Sequence, residues 1–316
     1  MLRSLLSLLS PAGRRARLSI LIYHRVLPKP DTLLPGEPDA ARFRWQIKLL
    51  ARYFNPLPLE EAVPRLFGGT LPARAVCVTF DDGYADNATV ALPILLEEGV
   101  PATFFIAAGY LDGGRMFNDT VIETVRNLPL GEVDLSQEGA GLRRVDSDAD
   151  RIALYTDVIG CLKYLDPQER SECAEAMATR LGVRPPDDLM MTTEQLRRLA
   201  DSGMGIGGHT ITHPILSRVD RTTAQREMLA GKEQLEEVLG RPVKLFAYPN
   251  GRPGRDYAPE HVDLARQSGF EAAVSTAWGV ADWGTDPFQL PRFTPWDRTP
   301  LRFGLRLARN LAGRPC

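Results

Sequence analysis

Two adjacent carboxylates, Asp81 and Asp82, stand directly after an apolar run in Val78-Thr79-Phe80-Asp81-Asp82-Gly83-Tyr84. Carboxylates at the edge of a buried segment are costly unless a cation or a reaction uses them. Asp-Asp-Gly is also ordinary turn chemistry, so this motif alone leaves both readings open. A second run, Gly207-Gly208-His209-Thr210-Ile211-Thr212-His213-Pro214, spaces two histidines four apart, which can bring both imidazoles to one side of a turn. An isolated HxxxH often arises by chance, but this one holds two of the chain's four histidines. Two His and one Asp make the three-ligand set of a catalytic zinc, with a fourth position open to water. The third run, Leu245-Phe246-Ala247-Tyr248-Pro249-Asn250-Gly251, flanks Asn250 with Pro and Gly in a rigid turn whose backbone N–H can point into a site. It reads equally well as a plain strand-ending turn.

Whether these three turns meet depends on the elements that carry them. Runs rich in Val, Ile, Phe and Tyr predict strands at Leu18–Tyr23, Ala75–Phe80, Ala102–Ile106, Met204–Gly208, Val243–Tyr248, Phe270–Ser275 and Gln289–Phe293. Helical patterns fall between them at Ala40–Phe54, Leu59–Leu66, Asn87–Glu98, Thr193–Ser202, Thr222–Leu239 and Pro259–Ser268. Regular β–α alternation calls for an α/β fold with a parallel sheet, open or closed into a barrel. In a barrel, turns at the C-terminal ends of strands share the face that carries active sites. Residues 111–190 break the rhythm: there is no convincing strand, glycines and acids cluster over 131–150, and helical patterns return at Ile152–Leu165 and Gln168–Leu181. This predicts a helical insertion between two barrel strands, with a mobile stretch inside it.

Composition narrows the function class. The 316 residues carry 38 Lys plus Arg against 40 Asp plus Glu, a net charge of −2, which excludes a nucleic-acid partner held by bulk charge. At 44% hydrophobic and 25% charged, the chain is neither disordered nor low-complexity. The charge is uneven. Residues 1–30 contain six basic residues and no acid, and residues 301–316 contain four and no acid; removing those ten charges leaves −12 for residues 31–300. Leu2, Leu5, Leu6 and Leu9 would share one helical face, and Leu301, Leu305 and the leucines up to Leu311 suggest a second basic amphipathic segment. Two readings stand for these ends: peripheral contact with a membrane, or packing on the barrel. The expected organisation is a basic segment over 1–17, a barrel over 18–298 and a basic helix over 299–316. The apolar run Leu5–Leu9 is too short for a signal-peptide core, and no stretch approaches the ~20 apolar residues of a membrane span. Cys77, Cys161, Cys173 and Cys316 show no CxxC spacing and too low a density for a disulfide framework. The expectation is a cytoplasmic protein, peripheral at the inner membrane face if its ends bind anionic lipid.

Taken in order, TFDDG ending at Gly83, HTITH ending at His213 and FAYPNG ending at Gly251 resemble the polysaccharide deacetylase family of metal-dependent carbohydrate esterases. The opening Ile20-Leu21-Ile22-Tyr23-His24-Arg25-Val26 resembles the branch whose first strand carries a Tyr-His pair, which includes the poly-N-acetylglucosamine deacetylases. The resemblance covers roughly residues 18–110 and 190–295. It implies a distorted (β/α)7 barrel in which Asp82, His209 and His213 bind zinc or another divalent transition metal and Asp81 is the general base. The implied reaction hydrolyses the acetamide of an N-acetylated amino sugar in an oligosaccharide, a polysaccharide or a lipid-linked glycan. The metal and the Asn250 N–H would then stabilise the tetrahedral oxyanion. Another non-peptide C–N bond, or sugar binding without catalysis, are the rival readings. Adjacent aspartates cannot flank a sugar ring at the ~5–9 Å a glycosidase needs.

Two departures from the family pattern matter. The arginine that family members commonly carry before the Tyr-Pro turn is replaced by Ala247, and Asn250 stands where Tyr is usual. Arg292, in Leu290-Pro291-Arg292-Phe293, is the expected substitute for orienting the base, with an exposed surface arginine as the alternative. The late Leu-x-Leu-His motif is also absent. His261 falls in a predicted helix, expected on its exposed side, which leaves His24 as the general acid that the Tyr-His branch implies. Tyr248, Trp278 and Asp282 are expected to contact the sugar, although Trp278, Asp282, Trp283 and Asp286 also read as an ordinary loop. Asn118 and Asp119 read as rim residues or as local helix caps.

Overall fold

Along the chain run α1 (Leu2–Leu9), β1 (Leu18–Tyr23), α2 (Ala40–Tyr53), β2 (Asn55–Pro56), α3 (Leu59–Phe67), β3 (Ala75–Phe80), α4 (Leu92–Glu98), β4 (Ala102–Ile106), α5 (Phe117–Arg126), β5 (Gly131–Leu135), β6 (Gly141–Val145), α6 (Asp148–Leu162), α7 (Pro167–Arg180), α8 (Thr193–Asp201), β7 (Gly205–Gly208), α9 (Arg221–Leu239), β8 (Leu245–Ala247), α10 (Pro259–Gln267), β9 (Ala272–Trp278), β10 (Leu290–Arg292) and α11 (Pro300–Leu311). The computed structural model describes residues 2–313; Arg314 and Cys316 lie outside the described residues, as does the side chain of Leu2.

Every residue of β1, β3 and β4 is buried. Strands covered on both faces must read as unbroken apolar runs, which is why these three stand out in the sequence. Parallel pairing links seven strands in the order β1, β3, β4, β7, β8, β9, β10, with short β2 beside β3. Leu21 of β1 makes a parallel bridge to Phe293, just past β10, so the row nearly closes into a distorted (β/α)7 barrel. β1 and β3 pair in register from Leu18 with Ala75 to Tyr23 with Phe80. His24 and Asp81 therefore leave the barrel at the same level. Beneath them the rings of Tyr23, Phe80 and Phe104 stack at 5.4 and 4.7 Å.

The insertion between β4 and α8 is not purely helical. The stretch expected to be mobile forms an antiparallel hairpin, β5 with β6, paired from Gly131 with Val145 to Leu135 with Gly141. A two-stranded hairpin with one open face buries few side chains, so its polar and glycine content masked the alternation that ends in buried Leu135 and Val145. α5, the hairpin, α6 and α7 enclose a separate apolar cluster that includes Val121, Val125, Leu154, Val158 and Met177.

Each chain end packs with one face and exposes another. Leu6 and Phe303 are buried, Phe303 edge-on to Trp45 at 5.7 Å, while Leu5, Leu8, Leu301 and Leu305 are exposed. Among the described residues no helix is long and apolar enough to cross a membrane.

Candidate active site

Asp81 and Asp82 follow β3 directly. Asp82 takes the left-handed conformation at φ +78°, and its carbonyl accepts the Ala107 N–H beyond β4. Two strands away, the tight sequence Gly205-Ile206-Gly207-Gly208 lets β7 approach its neighbours. A Cβ on Gly207 would stand 2.4 Å from the Phe105 ring, so no side chain fits there. His209, next in the chain, is buried, and its Nδ1 lies 2.7 Å from the Ala247 carbonyl at the end of β8. That contact assigns the proton to Nδ1 and turns the Nε2 lone pair toward Asp82.

The loop that returns to His213 is held from outside the barrel. Glu227 of α9 accepts the backbone N–H groups of Ile211 and Thr212, both at 2.9 Å, and the Thr212 hydroxyl at 2.8 Å. Of the six non-glycine residues with positive φ among the described residues, four are Asp82, Thr210, His213 and Asn250. Such strain is sustained only where surrounding structure over-determines it, and it collects at functional sites.

Asp82 Oδ1 lies 3.4 Å from His209 Nε2 and 3.4 Å from His213 Nε2. One donor atom from each residue falls within 4.8 Å of the others. An ion bound tetrahedrally at zinc distances separates its ligands by about 3.3–3.6 Å. Asp82 Oδ1 is moreover buried without a hydrogen-bond partner among the described residues. Burial pushes the His213 imidazole down to about 3, so the ring is neutral and its lone pair is available to a cation. The donor set, its spacing and the orphaned oxygen together fit a divalent metal.

Arg292 meets the expected base. Its guanidinium forks onto Asp81, Nη1 to Oδ1 at 2.7 Å and Nη2 to Oδ2 at 2.6 Å, and it is only 1% exposed, which removes the surface-residue alternative. Nε donates to the Ser275 carbonyl of β9 at 2.9 Å. Burial pushes Asp81 up, yet the Arg292 charge outweighs it and keeps the carboxyl ionised below its usual range.

His24, Asp81, Asp82, His209, His213 and Asn250 line one cavity of about 370 Å³. Asn250, at φ +58°, has its carbonyl fixed by the Thr276 hydroxyl at 2.7 Å. The cavity also holds residues that no motif singled out. Arg25, next to His24, pairs with Asp86 at 2.8 Å and lies over the Tyr84 ring at 4.7 Å. Asp119 of α5 is buried and accepts the Tyr84 hydroxyl at 3.0 Å. Burial pushes its carboxyl up to about 7, with Arg25 and the Tyr84 hydrogen bond opposing. Asp119 is therefore a cavity residue and not a cap, since Met116 occupies the N-cap of α5. Asn118 lines the cavity as well.

The three expected sugar contacts are not brought there. Tyr248 is buried, stacks on Tyr257 at 3.9 Å and donates its hydroxyl to the Phe288 carbonyl: it is a core residue beside the site. Trp278 packs against Trp296 outside the cavity. Asp282 accepts the Gly284 N–H of its own turn, and the adjacent Ala281 pairs with Leu18, at the opposite end of β1 from His24. The chain between β9 and β10 thus turns back to the far face of the barrel. Trp283 goes with it, its indole N–H bonded to the Phe67 carbonyl, and Asp286 pairs with Arg266. His261 is buried, not exposed, because its Nδ1 accepts the Ala258 N–H at the start of α10.

Comparison with known proteins accords with this geometry. The chain matches the family model for polysaccharide deacetylase over residues 68–139 and 167–273. It is 23% identical over 278 residues to the Bacillus subtilis (strain 168) protein YxkH, whose name places it among polysaccharide deacetylases; the alignment covers 88% of this chain and 71% of that one. In structure it is similar to the Streptococcus pyogenes deacetylase PplD in complex with acetate, with a TM-score of 0.62, 19% identity and coverage of 93% and 98%. It is also similar to IcaB from Ammonifex degensii, with a TM-score of 0.59, 20% identity and coverage of 96% and 98%.

Proposed function

Because the chain belongs to the polysaccharide deacetylase family, we propose that it is a zinc-dependent N-deacetylase that converts the acetamide of an amino sugar in a glycan to a free amine and acetate. The observation that carries this reading is the buried, unbonded Asp82 Oδ1 facing two histidine Nε2 atoms at 3.4 Å. Asp82, His209 and His213 would hold the ion, and zinc suits two imidazoles and one carboxylate. Bound there, the metal supplies Lewis acidity to water and to the acetamide carbonyl.

The chain's own residues supply the proton transfers. Asp81, kept ionised and aimed by Arg292, takes a proton from the attacking water. The Asn250 N–H faces the carbonyl oxygen as charge develops on it. His24, at the end of β1, returns a proton to the departing amine, a task that suits an imidazole near neutral pH.

The test is zinc-loaded protein incubated with a panel of N-acetylated oligosaccharides. Acetate release that a chelator abolishes and zinc restores is the expected result. Stoichiometric metal with no acetate from any glycan would leave a sugar-binding barrel without catalysis. His24→Ala is expected to lower kcat about 10²-fold or more with metal content unchanged. Full activity in that variant removes His24 from the role.

A further inference from the structure

One wall of the cavity comes from the insertion and carries charge that the reaction does not use. Arg170 of α7 is 4% exposed, donates from Nη2 to the His213 carbonyl at 2.9 Å and lies over the Phe117 ring at 4.6 Å. Its Nε is buried with no acceptor among the described residues. Lys163, at the end of α6, lines the same cavity. Of the other charges around the cavity, Asp81 pairs with Arg292, Arg25 with Asp86 and Glu123 with Arg126, while Glu37 and Asp119 have no cation within 4.0 Å among the described residues. Among the described residues neither Arg170 nor Lys163 has a carboxylate within 4.0 Å. A guanidinium buried without a counter-charge is costly unless an incoming oxyanion completes it. Residues 31–300 moreover carry −12, a field that repels an acidic ligand unless local cations receive it.

Building on the deacetylase reading, we propose that Arg170 and Lys163 bind an oxyanion of the substrate, so that the preferred glycan is acidic, with a carboxylate or phosphate on the acetamido sugar or its neighbour. Arg170 adjoins the His213 loop and so places that anion beside the metal ligands, within reach of a group attached to the reacting ring. Lys163 lies in residues 140–166, between the two stretches that match the family model, whereas Arg170 lies inside the second of them.

The experiment compares kcat/KM for acetate release by the zinc-loaded full chain from three oligosaccharides of equal length: a neutral N-acetylglucosamine oligomer, one alternating N-acetylglucosamine with glucuronate, and one carrying phosphate. Wild type is expected to favour at least one acidic substrate, and the better of the two identifies the anion. In Arg170→Met and in Lys163→Gln the acidic-to-neutral ratio is expected to fall about tenfold or more, the size of a charge-assisted hydrogen bond. Misfolding or metal loss lowers both arms together and leaves the ratio unchanged. A wild-type ratio at or below one, or a ratio unmoved in both variants whose fold and metal content are intact, overturns the proposal. Calorimetric binding of glucuronate and of glucose 1-phosphate separates this inference from the reaction itself. If those anions bind in an Arg170-dependent way but no glycan releases acetate, the anion site stands and the deacetylase reading falls. If neutral glycans react and neither anion binds, the anion site alone falls.

Discussion

Replacing Asp81 by Asn is expected to lower kcat for acetate release by about 10²- to 10⁴-fold, the range a positioned general base supplies, while zinc stays bound near one equivalent. The separation follows from geometry. Asp81 spends both carboxylate oxygens on the Arg292 fork, whereas the oxygen that faces His209 and His213 belongs to Asp82. Asn keeps the shape and one acceptor but cannot take a proton. Elemental analysis alongside steady-state kinetics checks this. Metal lost together with activity would make Asp81 a ligand, and undiminished kcat would remove it from the reaction.

Replacing Arg292 by Met is expected to destabilise the fold by about 3–5 kcal/mol, the penalty for leaving one partner of a buried pair uncompensated, and to lower activity as the base loses its orientation. The pH dependence gives the mechanism its signature. In wild type Arg292 holds the Asp81 carboxyl low, so the pair's contribution is complete above the ordinary carboxylate pKa of about 3.9 and is lost as pH falls through the depressed folded value. In Arg292→Met burial, the largest influence, is opposed only by His209 and His24 and is expected to raise that carboxyl. The folded state then binds more protons than the unfolded one, and stability falls as pH rises through the window between the two values. Urea melts with chelator present should therefore show a larger deficit at pH 8 than at pH 4. Arg292→Lys should recover the charge but not the fork, and hence only part of the stability. A deficit equal at both pH values would mean that lost packing, not an unpaired carboxylate, dominates.

What the sequence revealed and what it hid divide along physical lines. β1, β3 and β4 begin and end where the apolar runs do, because doubly covered strands need continuous hydrophobicity. The candidate metal donors and the proposed base were legible because each sits in a short motif at a strand end. Arg170 and Glu227 were not, since each is one polar residue on a helix that only the tertiary fold brings to the site, and Asp119 read as either a rim residue or a helix cap until the fold placed it on the cavity wall. Tyr248 and Asp282 mislead for a related reason: closeness along the chain to a functional turn does not set which way the backbone runs next. β9 continues through Trp278, three residues past the predicted Ser275, and the chain then descends to pair Ala281 with Leu18. Arg292 could be anticipated only as the charge missing from Ala247, and its buried partner became visible once β10 stood beside β9 and β1.

That placement has a consequence for biosynthesis. Asp81 and Arg292 are separated by 211 positions, and Arg292 lies on the last barrel strand. At about 5–20 residues per second of synthesis, Asp81 emerges roughly 10–40 s before its counter-ion. Until then a carboxylate destined for the interior has no partner and resists being enclosed. The barrel can close around the proposed base only after β10 has been made, so a ribosome product truncated before residue 292 retains the candidate metal donors but has no stable way to bury that carboxylate.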